Sequence, residues 1–353
     1  MTNPVVGVTA LQAGWNPSPG VSVARSLHLA RTNEMKIIGI DYDTFCTGLY
    51  LDIFDESYLL PPISKPDPLL ETLSKIQAKT GLNVIIPNLD IEQKVYSRLQ
   101  PELKEIGIHL LIPNEEVINL RSKLLITTFA RKHNFLAPST FALNSYEDLS
   151  CLPEEMNYPL IVKGHFCDAY PVISSEEAGV YISKLEEIWG WPVLIQDYID
   201  GEEYCVAGLS DYDSKIIGVV AMKKFGLTDK GKVWAGVTVA EPELLGLTEK
   251  FIKEIDWVGP LEIDFVRDKN SLEFYIIDVN PRFPSWIYLA AKAGQNLPLA
   301  AVHLALGERV DRFSEYETGL MFVRSAEDLV FDIETFTKFM AEEEDSNELY
   351  RRV

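Results

Sequence analysis

Two stretches late in the chain decide how it folds: GPLEIDF at residues 259–265 and YIIDVNPR at residues 275–282. Each is typical of a β-strand with an acid near its end, Asp264 in the first and Asp278 in the second. On neighbouring strands both carboxylates can project the same way, and Asn280 shares the face of Asp278 because side chains alternate along a strand. Carboxylate and amide oxygens are ligands that Mg²⁺ takes together with phosphates. The stretches are a candidate metal site, although two strands with polar ends joined by a turn have the same pattern.

The residues around these stretches predict an α+β unit. Turn signals separate a series of strand-like runs, and a long helical pattern precedes them. A run of antiparallel strands with helices packed on one face gives an α+β fold. The expected helices cover residues 115–133 and 175–187, and the expected strands cover 159–163, 193–196, 204–209, 215–225, 232–240, 261–266 and 274–279.

The first third of the chain instead predicts an α/β unit with a parallel sheet. Strands alternating with helices indicate a doubly wound sheet, in which ligands lie at the carboxyl ends of the strands. The expected strands cover 5–8, 36–40, 83–86 and 109–112, and the expected helices cover 19–33 and 68–79. Residues 9–19 and Asp41 then lie on the ligand-facing rim. The segment 9–19 has no GxGxxG pattern, so we expect a plain strand-to-helix loop there and no dinucleotide site.

The composition excludes some classes of function. The 353 residues include 53 Asp and Glu against 32 Lys and Arg, a formal net charge of −21. Such acidity argues against a general nucleic-acid or anionic-membrane binder, which needs a basic face, but a phosphate site needs only a few local cations. The first residues show no basic, cleavable leader, and the four cysteines are scattered without a CxxC pair. We therefore expect a cytoplasmic protein with reduced thiols.

The motif DVNPR at 278–282, preceded by Gly259 and Asp264-Phe265, closely resembles the metal-binding signature of the ATP-grasp superfamily. Members include the carbamoyl-phosphate synthetase large subunit, biotin carboxylase, D-alanine–D-alanine ligase and the pyrrolysine-biosynthesis ligase. The resemblance implies a Rossmann-like preATP-grasp domain followed by a two-lobed ATP-grasp fold. The implied domains are residues 1–113, an N-terminal lobe with the nucleotide lysines at 114–195, and a C-terminal lobe with the metal site and a C-terminal helix at 196–353.

The resemblance also implies a nucleotide site, because further family positions occur in the family's order. Lys123 matches the first phosphate-binding cation, and Lys163 matches the lysine that contacts the α- and β-phosphates. The segment QDYI at 196–199 resembles the hinge that binds adenine, so Gln196, Asp197 and Ile199 are implied adenine contacts, with Gln196 where relatives usually have Glu. Glu203 matches the acid that binds the ribose hydroxyls. The implied cofactors are ATP and Mg²⁺ or Mn²⁺.

The same resemblance assigns the metal and catalytic positions. Asp264, Asp278 and Asn280 match the metal ligands, and Asp278 is one methylene shorter than the Glu of most relatives. Arg282 matches the basic residue that stabilises the transferring phosphoryl group, and Lys163 is implied to assist it. A lysine-rich turn at 226–232 corresponds to the loop that covers the phosphates in relatives, although a charged hairpin is the plain alternative.

Substrate contacts are the least determined part of the site. The resemblance places them in the first domain and in the loop after the metal strand, which makes Trp15, Lys224, Ser285 and Arg324 the candidates. Arg324 could equally form a structural ion pair.

The implied reaction is that of an ATP-dependent carboxylate–amine ligase, which forms an acylphosphate and then an amide or peptide bond. A small molecule, amino acid or peptide is the implied substrate, with no nucleic-acid or membrane partner and a possible homodimer. The alternatives are another phosphoryl transfer on the same fold, such as carbamoyl-phosphate-like synthesis or a kinase reaction, and a non-catalytic nucleotide-binding protein.

Overall fold

The first part of the chain forms a parallel sheet, as predicted. A computed structural model describes residues 3–339, apart from 15, 33, 121, 165–167, 229 and 230. The sheet has the strand order β3-β2-β1-β4, and each neighbouring pair is parallel. Its strands are β1 (Val5–Val8), β2 (Lys36–Asp41), β3 (Glu56–Leu59) and β4 (Val84–Ile86), and its helices are α1 (Gly20–Leu29), α2 (Pro66–Thr80) and α3 (Asp90–Glu105).

The predicted strand at 109–112 was wrong. His109 forms only an isolated bridge with Val84, at the edge of the parallel sheet. The next residues contact parts of the chain that come later in the sequence. The hydroxyl of Tyr212 donates to the carbonyl of Leu110 at 2.9 Å. The carbonyl of Leu111 also lies under Gly259, where an added Cβ would come within 2.4 Å of it. Residues 110 and 111 therefore contact residues from later in the chain, and the segment 110–112 does not extend the parallel sheet.

A small antiparallel sheet follows, with the strand order β5-β8-β6-β7. The helix expected over 115–133 is two helices, because Ser122 has an extended backbone (φ −51°, ψ 128°) between them. The elements are α4 (Glu115–Leu120), α5 (Lys123–Lys132), β5 (Thr140–Leu143), β6 (Leu160–Lys163), β7 (Ala169–Val172), α6 (Ser175–Trp189) and β8 (Val193–Asp197).

The last part is a six-stranded sheet with the order β13-β12-β9-β10-β11-β14, in which each neighbouring pair is antiparallel. The mixed α/β and α+β architecture predicted from the sequence is confirmed. The strands are β9 (Gly201–Ser210), β10 (Ile216–Leu227), β11 (Val233–Thr238), β12 (Gly259–Asp268), β13 (Phe274–Asn280) and β14 (Met321–Val323), and the helices are α7 (Pro242–Glu254), α8 (Ile287–Lys292) and α9 (Leu297–Ala305).

The hydrophobic cores show which parts pack together. One core joins buried side chains of the parallel sheet to those of β9, β10, α8 and α9, so the first domain packs directly on the large sheet. The small sheet and α6 have a core of their own. Apolar residues of α4 and α5 belong to a third core, under the large sheet. The domain boundaries at 113 and 195 stay predictions. Within the described residues, no helix is long and apolar enough to cross a bilayer.

Candidate active site

The two strands that carry the candidate metal ligands lie side by side. In the antiparallel pair β12–β13, Asp264 is directly opposite Asp278, and Glu262 is directly opposite Asn280. Glu262 and Asp264 are two positions apart on β12, so their side chains share one face of the sheet. The structure therefore brings together the acids and the amide that the sequence singled out, and it adds Glu262 beside them.

A lysine on strand β10 of the same sheet lies against this face. The ammonium of Lys224 on β10 is 2.7 Å from Oδ1 of Asp264 and 3.2 Å from Oε2 of Glu203, and its side chain is only 7% exposed. Burial alone would lower the pKa of Lys224, but the attraction of Asp264 prevails and raises it well above the usual value. Lys224 is thus a buried cation between the candidate ribose acid and a candidate metal ligand.

The donor set fits a hard divalent ion such as Mg²⁺. Asp264, Asp278 and Asn280 supply oxygen atoms, and Asn280 directs its amide nitrogen to Glu262 at 3.5 Å, which leaves the amide oxygen available. A ligand atom of Cys205 also lies within 4.8 Å of those of Glu262 and Asp264. Burial raises the pKa of the Cys205 thiol well above its usual value, so it stays protonated. A neutral thiol is a poor ligand for Mg²⁺, which prefers oxygen.

The predicted phosphate lysines come from the end of β6 in the small sheet and from the start of helix α5. Lys163 ends β6 and is buried. Burial first, and then repulsion by Lys123, lower the pKa of Lys163 to about 8, while Asp278, Asp264 and Glu203 act in the opposite direction. Each of these groups is therefore close enough to Lys163 to act on its charge. Lys163 of the small sheet and Lys123 of α5 are thus close to three acids of the large sheet.

The predicted hinge lies at the end of β8. Gln196 is buried and donates its amide nitrogen to Oγ1 of Thr140 at 2.8 Å, while its amide oxygen has no hydrogen-bond partner among the described residues. The backbone N–H of Asp197 donates to the carbonyl of Ser139 at 3.0 Å. Burial raises the pKa of the Asp197 carboxyl. Ile199 follows, half-buried. A buried amide oxygen without a partner favours a ligand that donates a hydrogen bond.

Arg282 is held between two carboxylates. Its Nε is 3.1 Å from Oδ1 of Asp90, and its terminal nitrogen NH1 is 3.0 Å from Oε2 of Glu262. Glu262 also accepts Nε1–H of Trp286 at 3.0 Å and the amide of Asn280. Burial raises the pKa of Glu262, and the nearby Asp264 adds to that effect.

Neither of these carboxylates was predicted from the sequence. The position of Glu262 beside Asp264 was predictable, because the two residues are two positions apart on one strand and share a face. Asp90 had no such signal, since it belongs to the first domain and meets Arg282 only through the packing of that domain on the large sheet.

Arg324 and Ser285 lie together, as two of the predicted substrate contacts. The guanidinium of Arg324 donates to Oγ of Ser285 at 2.6 Å and to the carbonyl of Val233 at 2.7 Å. Helix α1 reaches the same place, since Oγ of Ser22 donates to the carbonyl of Ser285 at 2.6 Å. Burial, opposed by the attraction of Glu262 and assisted by repulsion from Arg25 of α1, lowers the pKa of Arg324 to about 10.

The turn after β10 contacts the rim loop of the first domain. Oγ1 of Thr228 donates to Oδ1 of Asn16 at 2.8 Å, and Nζ of Lys232 donates to the carbonyl of Pro17 at 3.2 Å. The turn at 226–232, which is predicted to cover the phosphates, and the rim segment 9–19 are therefore neighbours. Trp15 and residues 229–230 lie outside the described residues.

Comparisons with known proteins agree with this arrangement. The sequence profile of the family "ATP-grasp in the biosynthetic pathway with Ter operon" matches residues 191–327. The carbamoyl phosphate synthase large chain of Thermoanaerobacter pseudethanolicus is 24% identical over 319 residues, which are 80% of this chain and 29% of that protein. The chain thus spans less than a third of that relative's own length.

Solved structures share the fold at low identity. The biotin carboxylase domain of 2-oxoglutarate carboxylase from Hydrogenobacter thermophilus, a dimer in complex with MgADP, ADP and bicarbonate, is 17% identical with a TM-score of 0.69, covering 91% of this chain and 73% of that one. The L-amino acid ligase from Bacillus licheniformis is 13% identical with a TM-score of 0.66, covering 88% and 76%. Together with the family profile, these similarities show that this chain has the ATP-grasp fold, and its recognition as an ATP-grasp protein is confirmed.

Proposed function

We propose that the protein is an ATP-dependent carboxylate–amine ligase. The observation that carries the proposal is the grouping of Lys163 from the small sheet, Lys123 from α5 and the buried Lys224 with the acids of the large sheet. Such a grouping offers cations for the phosphates of a nucleotide and oxygen ligands for its metal ion. ATP and Mg²⁺ are characteristic of ATP-grasp proteins, and one solved structure with this fold holds MgADP.

The nucleotide would lie between the two sheets. Lys123 and Lys163 would bind the phosphates, and Glu203 would bind the ribose hydroxyls. At the hinge, the free amide oxygen of Gln196 would accept the adenine amino group, with Asp197 and Ile199 beside the ring. Gln in place of Glu keeps an acceptor at this position, so the substitution is compatible with adenine.

The metal ion would be held by Asp264, Asp278 and Asn280, whose oxygen atoms fit Mg²⁺ or Mn²⁺. When bound, it would supply positive charge to the phosphates and to the oxygen that leaves with ADP. In the free protein, Lys224 neutralises Asp264, so we expect Lys224 to move towards the phosphates or the substrate when the metal ion binds.

The residues of the chain then account for the chemistry. A substrate carboxylate attacks the γ-phosphorus, the bond between that phosphorus and the bridging oxygen breaks, and ADP leaves. Two anions repel each other, so Lys163 and Arg282 would lower the barrier by stabilising the charge on the transferring group. An amine then attacks the acylphosphate carbonyl and loses a proton, and phosphate leaves. No nucleophile on the protein is required.

The substrate would lie between the first domain and the loop after β13. Arg324 and Ser285 would bind an anionic group of the substrate, since the structure gives Arg324 a hydroxyl and a carbonyl but no carboxylate partner among the described residues. Trp15 and Lys224 are proposed to line the same place. We propose a small molecule, amino acid or peptide as substrate, and a homodimer as a possible assembly.

The curated relatives favour a second candidate, carbamoyl-phosphate-like synthesis. It shares the first phosphoryl transfer and differs in its product. A stable phosphorylated product without an amine acceptor would select this alternative or a kinase reaction.

The test is ADP formation by the purified chain with a panel of carboxylates and amines, with product mass measured in parallel. We expect magnesium-dependent turnover, and we expect Asp278→Asn to lower kcat by about 100-fold or more because a metal ligand is lost. Glu273→Gln, an exposed acid on the same hairpin, is the matched control. Binding of MgADP without turnover on any pair would instead indicate a non-catalytic nucleotide-binding protein.

A further inference from the structure

Arg282 is the point where the first domain touches the candidate active site. The acid on its Nε side, Asp90, begins helix α3 of the first domain, and the acid on its NH1 side, Glu262, lies on β12 of the large sheet. The side chain of Arg282 is only 18% exposed and that of Glu262 only 10%. A guanidinium between two fixed carboxylates has a defined direction, because its donors form a rigid planar fork.

The Asp90 side of this arrangement is fixed by the cap of α3. Oε2 of Glu92 accepts the backbone N–H groups of Asn88 at 3.0 Å and Leu89 at 2.9 Å, and it also accepts the hydroxyl of Thr9 at 2.7 Å. Thr9 follows β1, so the first turn of α3 is attached to the end of the parallel sheet. The position of Asp90 is therefore set by the fold of the first domain.

The Glu262 side is fixed by the large sheet and by the loop that follows β13. Glu262 is paired in register with Asn280 on β13 and accepts the indole N–H of Trp286 at 3.0 Å. One buried carboxylate thus contacts a candidate metal ligand, the candidate phosphoryl-binding arginine and the loop that holds Ser285. A change in the direction of this carboxylate would disturb all of them together.

These contacts leave one terminal nitrogen of Arg282, NH2, without a hydrogen bond to the described residues. A guanidinium stays protonated in proteins, so the remaining donors of Arg282 belong to a charged group. The two acids that hold Arg282 come from helix α3 and from strand β12.

We propose that Asp90 and Glu262 are positioning residues for Arg282, which together direct its NH2 group to the transferring phosphoryl group. The proposal rests on the proposed function. It makes the first domain part of the catalytic apparatus, because Asp90 sets the direction of a guanidinium that belongs to the C-terminal lobe.

The first measurement is steady-state turnover of Asp90→Asn in the full chain, with Asp67→Asn as the control because it is an exposed acid in the first turn of α2. Loss of the ion pair that Asp90 forms with Nε of Arg282 should lower kcat by about 10-fold or more. The KM for ATP and the affinity for MgADP should stay within about twofold, because Asp90 is not among the residues proposed to bind the nucleotide. Asp90→Glu should recover part of kcat.

The second measurement does not depend on turnover. In an NMR spectrum of the arginine Nε–H groups, Arg282 should exchange slowly with water, and Asp90→Asn should accelerate its exchange while Asp67→Asn does not. Arg282→Lys identifies the signal. Glu262→Gln provides a second variant, with the same expected acceleration.

The outcomes separate this proposal from the proposed function. A wild-type chain with a slowly exchanging Arg282 signal and no turnover on the panel supports the positioning and contradicts the ligase. Turnover in the wild type with unchanged kcat in Asp90→Asn overturns the positioning role and leaves the ligase intact. A kcat that falls only in proportion to lost folded protein also overturns it, because that is the effect of a structural ion pair.

Discussion

The two ends of the candidate site hold a buried cation in different ways. We call the group of Glu203, Lys224 and Asp264 the nucleotide end. Its cation is a lysine with a flexible side chain that lies between two acids. The same two acids are proposed to bind the ribose and the metal ion. At the first-domain end, formed by Asp90, Glu262 and Arg282, the cation is a planar guanidinium whose partners have further roles in the protein's own packing.

The difference indicates which contacts a ligand replaces and which it uses. A lysine is a point charge with rotatable donors, so its partners can be exchanged for a metal ion or a phosphate. An arginine held at two nitrogens keeps its direction and offers the third to a ligand. We therefore expect the nucleotide end to rearrange on binding and the first-domain end to stay as it is.

The largest effect is expected from Asp264→Asn. It removes a candidate metal ligand and the closest partner of Lys224 in one change, so kcat should fall by about 100-fold or more. Half-maximal activation should also require more Mg²⁺. The matched control is Asp213→Asn, because Asp213 pairs with Lys215 at 3.1 Å on the exposed surface. An equal loss of kcat in both variants, or no loss in Asp264→Asn, would contradict a metal site at the nucleotide end.

This end could be predicted from the sequence because its signals are local. Asp264, Asp278 and Asn280 lie on strands long enough to show alternation, and the structure has those strands at Gly259–Asp268 and Phe274–Asn280. Their exact register was not predictable, because a one-residue shift between the pairs Phe265–Ile276 and Asp264–Asp278 is what places the two acids opposite each other.

The first-domain end could not be predicted in the same way. Asp90 approaches Arg282 only because the parallel sheet packs on β9, β10 and the helices after β13. Short strands were missed for a related reason. The strand β3 (Glu56–Leu59) has four half-buried residues, which are too few for a period, and only pairing with β2 makes it a strand. Long-range packing, which one sequence does not display, decides both.

A pH series tests the support of the first-domain end. Glu92 lies in the first turn of α3 and accepts the backbone N–H groups of Asn88 and Leu89, just before Asp90. Burial raises the pKa of its carboxyl to about 7. The folded protein therefore binds a proton more tightly than the unfolded chain, and the stabilisation present at low pH is lost as the pH rises through about 7. The unfolding free energy should fall by about 2 kcal/mol between about pH 5 and 8 through this group.

The check is denaturant unfolding of wild type and Glu92→Gln at each pH. The difference between the two should change with pH in the stated direction. Glu102→Gln, an exposed acid on the same helix, should follow the wild type. A pH-independent difference for Glu92→Gln would mean that this carboxyl does not titrate in the folded protein over that range.

Lys224→Met sharpens the contrast between the two ends. Without nucleotide, it leaves Asp264 and Glu203 short of a cation, so the unfolding free energy should fall by about 1 kcal/mol. Because a metal ion can take the place of the ammonium, saturating MgADP should recover most of that loss. Lys215→Met serves as the exposed-pair control. An equal loss with and without MgADP would show that the ammonium is a fixed structural cation, like the guanidinium at the other end.

The smallest effect is expected where the turn after β10 meets the first domain. Thr228→Val removes the hydroxyl that donates to Asn16 at 2.8 Å, and an exchangeable hydrogen bond of this kind contributes about 1 kcal/mol. If the turn closes over the substrate, the KM for the carboxylate should rise by about two- to fivefold while kcat changes less. Asn16→Ala should raise KM in the same direction, and the double variant should be no worse than Thr228→Val, which also removes the acceptor of the Lys232 N–H. Additive effects of the two substitutions would instead mean that Thr228 and Asn16 act separately, and that the contact between the turn and the rim loop has no part in holding substrate.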